Sequence, residues 1–575
     1  MSISLISMVS VYPKMYNAII APKRLYFILL FLIAFLLYFL PVIDPDIWHI
    51  KTGEYIAKTL SLPEDDPFSY TADNNERTKF ILKQYWFAQL IYYAAYKAGG
   101  WWGIVVLRLI VYFSIIFLFL RHSKNLNLYL RIGLVGFLIF ALNNYLADRP
   151  VAFSLLFFSL TIYLIEKEKY FSIPFVMLIW ANCHGGFITG DLLLFFYGLD
   201  FLRQRRYKAA LLLLSGILAS LLNPNLWGAF TEFIYGNPEY YKGIVEYTSP
   251  VKILIEQKRL KLAYYGLALG AVFLLLVPKM RKFRLSEIFI IGMFLFFAFK
   301  HVRVIPFLSI FLSFFSVKYL QSYNEKIQER LPRVDCVAIA VIFFIIVTLA
   351  WDKRNVIDAG QHIHYPYQLV KFLRENKPQP NIYNEYNIGG FLIFGLYPDY
   401  KVFSDPRGIS LNAMKDGEEI RTASPKMNAV LEKYNIKIII TTILDPYLKK
   451  TSPLIVNLHS RNDWKLVSID GAIAVFLKDI PEHSDIIKKH EIHKDNIFRA
   501  IVYLCGAFLN TDKDDAYLYF LLGSAYEKLG LYEEASKAIK AGLEIKKEKP
   551  AEDILRRIEQ KMKDTKDLSD TKVIN

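Results

Sequence analysis

Apolar runs separated by short polar stretches fill the chain from Arg24 to Trp351. The pattern predicts about eleven membrane-spanning helices: Arg24–Ile43, Trp101–Leu120, Leu128–Leu146, Val151–Ile165, Tyr170–Asn182, Gly186–Leu202, Ala209–Leu222, Leu260–Val277, Leu285–Phe299, Val304–Leu320 and Val337–Trp351. Several fall short of the roughly 20 residues a straight helix needs to cross hydrocarbon. Between the first two runs, Ile50, Gly53, Ile56, Ala57 and Leu60 recur at helical spacing with Lys51, Glu54 and Lys58 between them. That is an amphipathic helix suited to a membrane surface. Tyr85–Tyr96 is apolar nearly all round but too short to span, so it reads as interfacial or re-entrant.

After Trp351 the pattern changes. Asn381–Asn384, Lys401–Ser404, Lys437–Thr442, Trp464–Ile469 and Ala472–Leu477 read as strands, with helical patterns between some of them. They predict an α/β domain over 352–490. In the tail, Tyr519, Leu522, Gly523, Tyr526, Tyr532, Ala535 and Ile539 match the spacing of one tetratricopeptide repeat within a helical region 491–563. One repeat alone is expected to dock on the α/β domain rather than to form a partner groove, although a protein partner for the tail is kept open. Residues 564–575 are polar and read as a disordered tail.

Composition agrees with a polytopic membrane protein: 54% of the 575 residues are hydrophobic and 16% aromatic. The formal net charge of +16 comes from Lys and Arg that sit largely in loops, and nucleic-acid binding is not expected. With the N-terminus in the cytoplasm, every cytoplasmic loop is basic, from Arg121 and Lys124 through Arg203–Lys208 to Lys279–Arg284. The expected location is the cytoplasmic membrane, with residues 1–351 embedded and everything beyond Trp351 outside. The widely spaced Cys183, Cys336 and Cys505 form neither a disulfide framework nor a zinc motif.

That orientation gathers the polar groups with chemical potential on the outer face. They are Asp44, Asp46 and His49 of the 44–100 loop, Arg149, His184, and Lys300, His301 and Arg303. An acidic pair directly after a span is costly unless water or a partner compensates, although Asp44-Pro45-Asp46 also suits a helix cap. Arg108 and Asp191 lie inside spans at similar depth, which predicts that they pair or line a polar floor.

Several motifs carry a resemblance: DPDIWHIKTGEYI at Asp44–Ile56, LPEDDPFSYT at Leu62–Thr71, RPVAFSLL at Arg149–Leu156, WANCHGGF at Trp180–Phe187, LLNP at Leu221–Pro224 and KHVRVIPF at Lys300–Phe307. The chain resembles bacterial members of the GT-C-type membrane glycosyltransferases, the superfamily of protein O-mannosyltransferases and lipid A aminoarabinose transferases. It departs from them in one triplet: Gln84-Tyr85-Trp86 stands where relatives often carry His-Glu-Trp. A second acid or base from that position is not expected.

The resemblance implies transfer of a sugar from a polyprenyl-(di)phosphate carrier to a glycan, lipid or protein acceptor at the outer membrane surface. Asp44 or Asp46 would be the general base or the group orienting the acceptor. His49, Arg149, His184, Lys300, His301 and Arg303 would contact phosphate. Mg²⁺ or Mn²⁺ on Asp44 and Asp46 is an alternative use of the acidic pair, and no other cofactor is implied. The rival readings are a transporter or flippase of a lipid-linked substrate, and a non-catalytic assembly protein presenting the tail. The chain shows no internal repeat and few ionisable residues at mid-membrane, which weighs against transport.

Overall fold

The computed structural model describes residues 30–324 and 365–573, except 41, 43, 45, 144, 242–243, 258–259, 446–449 and 511–512. The expected span Val337–Trp351 lies outside the described residues. The chain divides into two compact units: Met1–Asp44, Thr52–Leu62 and Lys79–Trp351 form one, and Pro45–Lys51, Pro63–Thr78 and Asp352–Asn575 the other.

The first unit is helical. Leu128–Asn143, Val151–Glu166, Ile173–Cys183, Phe187–Arg203, Tyr207–Ser220, Leu260–Leu276, Leu285–Lys300 and Ile305–Leu320 fall where the apolar runs place them. Among the described residues, three helices are long and apolar enough to cross a membrane by length and composition: Trp86–His122, Leu262–Lys282 and Val302–Tyr323. The remaining spans of the predicted set stay expectations. Tyr85–Tyr96 falls in a helix of its own ahead of the span: Trp86–His122 is two helices that meet where Gly99 (φ −148°) and Gly100 (φ 56°, ψ −140°) leave helical geometry. Gly100 supplies a backbone conformation that side chains disfavour.

The amphipathic helix forms at Trp48–Thr59. Gly53 lets it cross the Trp86–His122 helix closely, because a Cβ there would lie 2.1 Å from the Gln89 carbonyl oxygen. A further helix, Glu76–Gln84, was not evident from periodicity.

In the second unit, β1 (Ile382–Asn384), β2 (Ile438–Thr442), β3 (Trp464–Asp470) and β4 (Ile473–Lys478) form a sheet of order β1-β2-β4-β3. β1 and β2 run parallel, and the other two pairings are antiparallel. All but the last residue of β4 are buried, as a strand covered on both faces requires. The strand expected at Lys401–Ser404 reduces to a single parallel bridge between Val402 and Ser69. Its partner comes from a distant stretch of the chain that offers one pairing residue, so no ladder grows.

Helices Asn496–Leu509, Ala516–Lys528, Tyr532–Ile545 and Lys549–Val573 complete the unit, and the last corrects the disordered tail expected from residue 564, since its helix continues to Val573. Leu504, Cys505 and Leu518 join the core of the α/β domain. Gly523 admits Ile539 between the two central helices, since a Cβ there would lie 2.6 Å from that side chain. Glu527 is buried and accepts hydrogen bonds from Arg557 at 2.7–2.8 Å and from Lys561 at 2.9 Å. The Arg557 bonds, opposed by burial and aided by Lys561, lower its pKa from 4.5 to about 2. A depressed carboxylate pKa stabilises fully above the unfolded value and is lost as pH falls through the folded one. The last helix should therefore lose about 1–2 kcal/mol of attachment between pH 4.5 and 2, after discounting for the exposed cations. Hydrogen exchange of Lys549–Val573 should rise over that window, and Glu527→Gln should raise it already at pH 7. An exchange rate in that variant equal to wild type would contradict the assignment.

Candidate functional site

The site is built in the first unit, from the segment before Asp44 outward. Arg108 is buried in the Trp86–His122 helix and donates through Nη1 to the carbonyls of Tyr38 (3.2 Å) and Leu40 (2.7 Å). These carbonyls end the helix over residues 30–38, where a cation is favoured. The same guanidinium forks onto Asp148, with Nε 2.6 Å from Oδ1 and Nη2 on Oδ2. Asp148 in turn donates its backbone N–H to Asp44 Oδ2 at 3.2 Å. Arg108 and Asp148 thus position Asp44. The expected pairing of Arg108 with Asp191 is corrected: Asp148 holds Arg108, while Asp191 Oδ2 accepts from Ser220 Oγ at 3.0 Å. Helix rotation decides this, since similar depth does not put two side chains on facing surfaces.

Arg149 continues the network. Its Nε lies 3.5 Å from Asp44 Oδ2, and its Nη2 pairs with Glu246. Tyr247, next to Glu246, presents its ring 4.5 Å from the Arg303 guanidinium. His301 Nδ1 lies 2.8 Å from the Tyr247 carbonyl and must donate to it, and Val302 N–H donates to the Thr248 carbonyl at 3.0 Å.

His184 ends the Ile173–Cys183 helix and sits half-buried. Its Nδ1 accepts from Gly186 N–H at 2.9 Å and lies 2.8 Å from Ser154 Oγ. Trp180 Nε1 donates to that same Oγ at 2.7 Å, which leaves the serine proton for the imidazole. Nδ1 is therefore an acceptor and Nε2 carries the hydrogen. Burial first, then the charges of Arg303 and Arg149, lower the His184 pKa from 6.5 to about 3. His184 is thus a neutral N–H donor near neutral pH, not a cation.

The structure links five of the expected residues through contacts or electrostatics: Asp44, Arg149, His184, His301 and Arg303. Three others are described by different contacts. Lys300 is exposed, with its ammonium 4.5 Å over the Phe296 ring of its own helix. His49 belongs to the second unit, buried and stacked on Trp48 with ring centroids 3.6 Å apart. Asp46 belongs there too and accepts from Trp48 Nε1 at 3.3 Å. The long side chain of Lys300 lies along an apolar surface and keeps the charge in the open.

Sequence reasoning passed over Asp148, Glu246, Tyr247 and Ser154. The adjacent Asp148-Arg149 in a short loop was a usable signal, whereas nothing in the sequence marks Glu246. The Gln84-Tyr85-Trp86 triplet borders the His184 turn: Gln84 donates to the Ala181 carbonyl at 3.4 Å, Trp86 to Asn182 at 2.8 Å, and the Tyr85 ring centroid lies 5.7 Å from that of His184.

The donor set around Asp44 does not fit a cation cage. Among the described residues no three His, Cys, Asp or Glu side chains converge. Asp44 Oδ2 already faces a guanidinium and a backbone N–H. No step is assigned to Mg²⁺ or Mn²⁺.

Neither a family model nor a curated protein matches the sequence. Among solved structures, the chain is similar to ArnT from Cupriavidus metallidurans in the apo state. The identity is 12% and the TM-score 0.45, covering 80% of this chain and 98% of that one. The same protein bound to undecaprenyl phosphate gives 10% identity and a TM-score of 0.35, covering 79% and 97%. At these values the likeness assigns no residue a role.

Proposed function

We propose that the chain is an integral membrane glycosyltransferase of GT-C type that takes its sugar from a polyprenyl-phosphate carrier at the outer face of the cytoplasmic membrane. The observation that carries this reading is the convergence on Asp44. A buried carboxylate is held by Arg149 and by a backbone N–H whose residue is itself fixed by Arg108. Arg303, His301 and His184 are tied to the same network. Transfer needs a carboxylate at the acceptor hydroxyl and cations or N–H donors on a phosphate leaving group.

In this reading Asp44 orients the acceptor hydroxyl and takes its proton as the bond to the sugar forms. Arg149 and Arg303 bear the charge left on the carrier phosphate, and His184 donates Nε2–H to it. The motif resemblance along Arg24–Leu320 supports the same chemistry. The second unit is assigned to the outside of the membrane.

The test presents purified protein in sealed proteoliposomes with a panel of polyprenyl-linked sugars and a cell-envelope extract as the source of acceptor hydroxyls, and follows passage of the labelled sugar from the carrier to the acceptor. Turnover of at least one donor is expected. Movement of an intact lipid-linked sugar across the bilayer without transfer would favour the flippase reading instead.

A further inference from the structure

We propose that Glu246 is an acidic placeholder for the donor phosphate: its carboxylate pairs with Nη2 of Arg149 until a phosphate group displaces it. The proposal rests on the glycosyl-transfer reading and adds to it a residue that sets access to the donor site.

One guanidinium here serves two carboxylates, Asp44 and Glu246. They differ in exchangeability. The Asp44 side chain is 8% exposed and also accepts the Asp148 N–H. The Glu246 side chain is 39% exposed and lies in a short turn, Val245–Tyr247, rather than in a long helix. The Arg149 side chain itself is 27% exposed, so an incoming anion can reach it. Carboxylate and phosphate present the same forked acceptor geometry to arginine, and one can replace the other without moving the cation. They compete for Nη2, because one donor nitrogen cannot serve both and the two anions repel.

The neighbouring residues extend the coverage to the second cation. Tyr247 lies against Arg303, and the carbonyls of Tyr247 and Thr248 hold His301 and Val302. Three consecutive residues, Glu246 to Thr248, therefore rest on Arg149 and on the 301–303 segment together. Release of Glu246 would loosen both. A site whose competent state is only fractionally populated binds more weakly by that fraction.

The experiment measures binding of farnesyl phosphate to the full chain in detergent, for wild type, Glu246→Gln, Glu246→Asp and Arg149→Ala. Glu246→Gln should bind about three- to tenfold more tightly, since the amide no longer competes as an anion. Glu246→Asp should stay close to wild type, and Arg149→Ala should lose most binding. Size-exclusion profiles and melting temperatures check that each variant is folded. If Arg149→Ala loses binding while Glu246→Gln binds no more tightly than wild type, the placeholder is overturned and the donor site stands. If Arg149→Ala binds as wild type does, Arg149 is not a phosphate contact and the placeholder falls with that assignment.

Discussion

Asp44→Asn is expected to lower sugar transfer by about 10²- to 10⁴-fold, the range over which a positioned acid–base group contributes. The substitution is nearly isosteric. Its amide oxygen can still accept the Asp148 N–H, so the segment ending at residue 44 keeps its anchor on Arg108. What disappears is the charge beside Arg149 and the capacity to take a proton. Carrier binding should change far less than turnover, because the phosphate contacts come from other residues. Asp46→Asn serves as the comparison. Its carboxylate accepts from Trp48 Nε1 in the second unit, and its loss should change turnover only a few-fold. Single-turnover transfer with the donor identified from the panel, beside carrier binding for each variant, separates the two. Equal turnover in Asp44→Asn and wild type would remove Asp44 from the chemistry.

The second large effect is on stability. Arg407 is buried between Asp66 and Asp405, with Nε and Nη2 at 2.7 and 2.8 Å from Asp405 and Nη2 at 3.0 Å from Asp66. Both aspartates hold the guanidinium charged, against burial that opposes it. The rings of Phe68 and Trp48 lie 5.3 and 5.7 Å from its centre. Arg407→Met would leave two buried carboxylates without their cation and should cost about 3–5 kcal/mol. That is a large share of the stability of an ordinary domain.

Arg407→Lys should recover little, because an ammonium cannot fork onto two carboxylates at once. Adding Asp66→Asn and Asp405→Asn to Arg407→Met should recover more than half of the loss, since charge burial rather than packing dominates it. Pulse proteolysis across a urea series, scored on fragments from the second unit, reads these changes. A midpoint for Arg407→Met equal to wild type would show that the ion triad is dispensable.

Loss of Arg407 should reach beyond the α/β domain proper, because the 63–78 segment is built into the second unit. Thr71 Oγ1 donates to the Phe403 carbonyl, Thr78 Oγ1 to Ile409 at 3.0 Å, Arg77 to Gly408 at 3.2 Å and Tyr70 to Ile382 at 2.9 Å. Freed of the Asp66 clasp, that segment should become a protease target before the sheet does.

Hydrophobic periodicity by itself determined most of the long helices of the first unit, the amphipathic helix near Trp48, four strands of the sheet and the central helices of the tail. Those features follow from the repeat of buried positions within each element, and that repeat is local. The residue types of the site were also legible: acids after the first span, and arginine and histidine at the ends of later ones. Tertiary structure alone decided which of them meet. Arg108 faces Asp148 rather than Asp191 because a helix turns about 100° per residue, so the direction of a side chain depends on which helices are neighbours. Lys300 and Arg303 stand close in sequence, yet one lies on an exposed apolar face and the other on Tyr247. Glu246 could not be found from sequence, because a carboxylate in a turn becomes informative only once a distant arginine is seen to hold it. In the chain Asp44 had only its place at the start of the motif to set it before Asp46; in the fold Asp44 lies beside Arg149, and Asp46 accepts from Trp48.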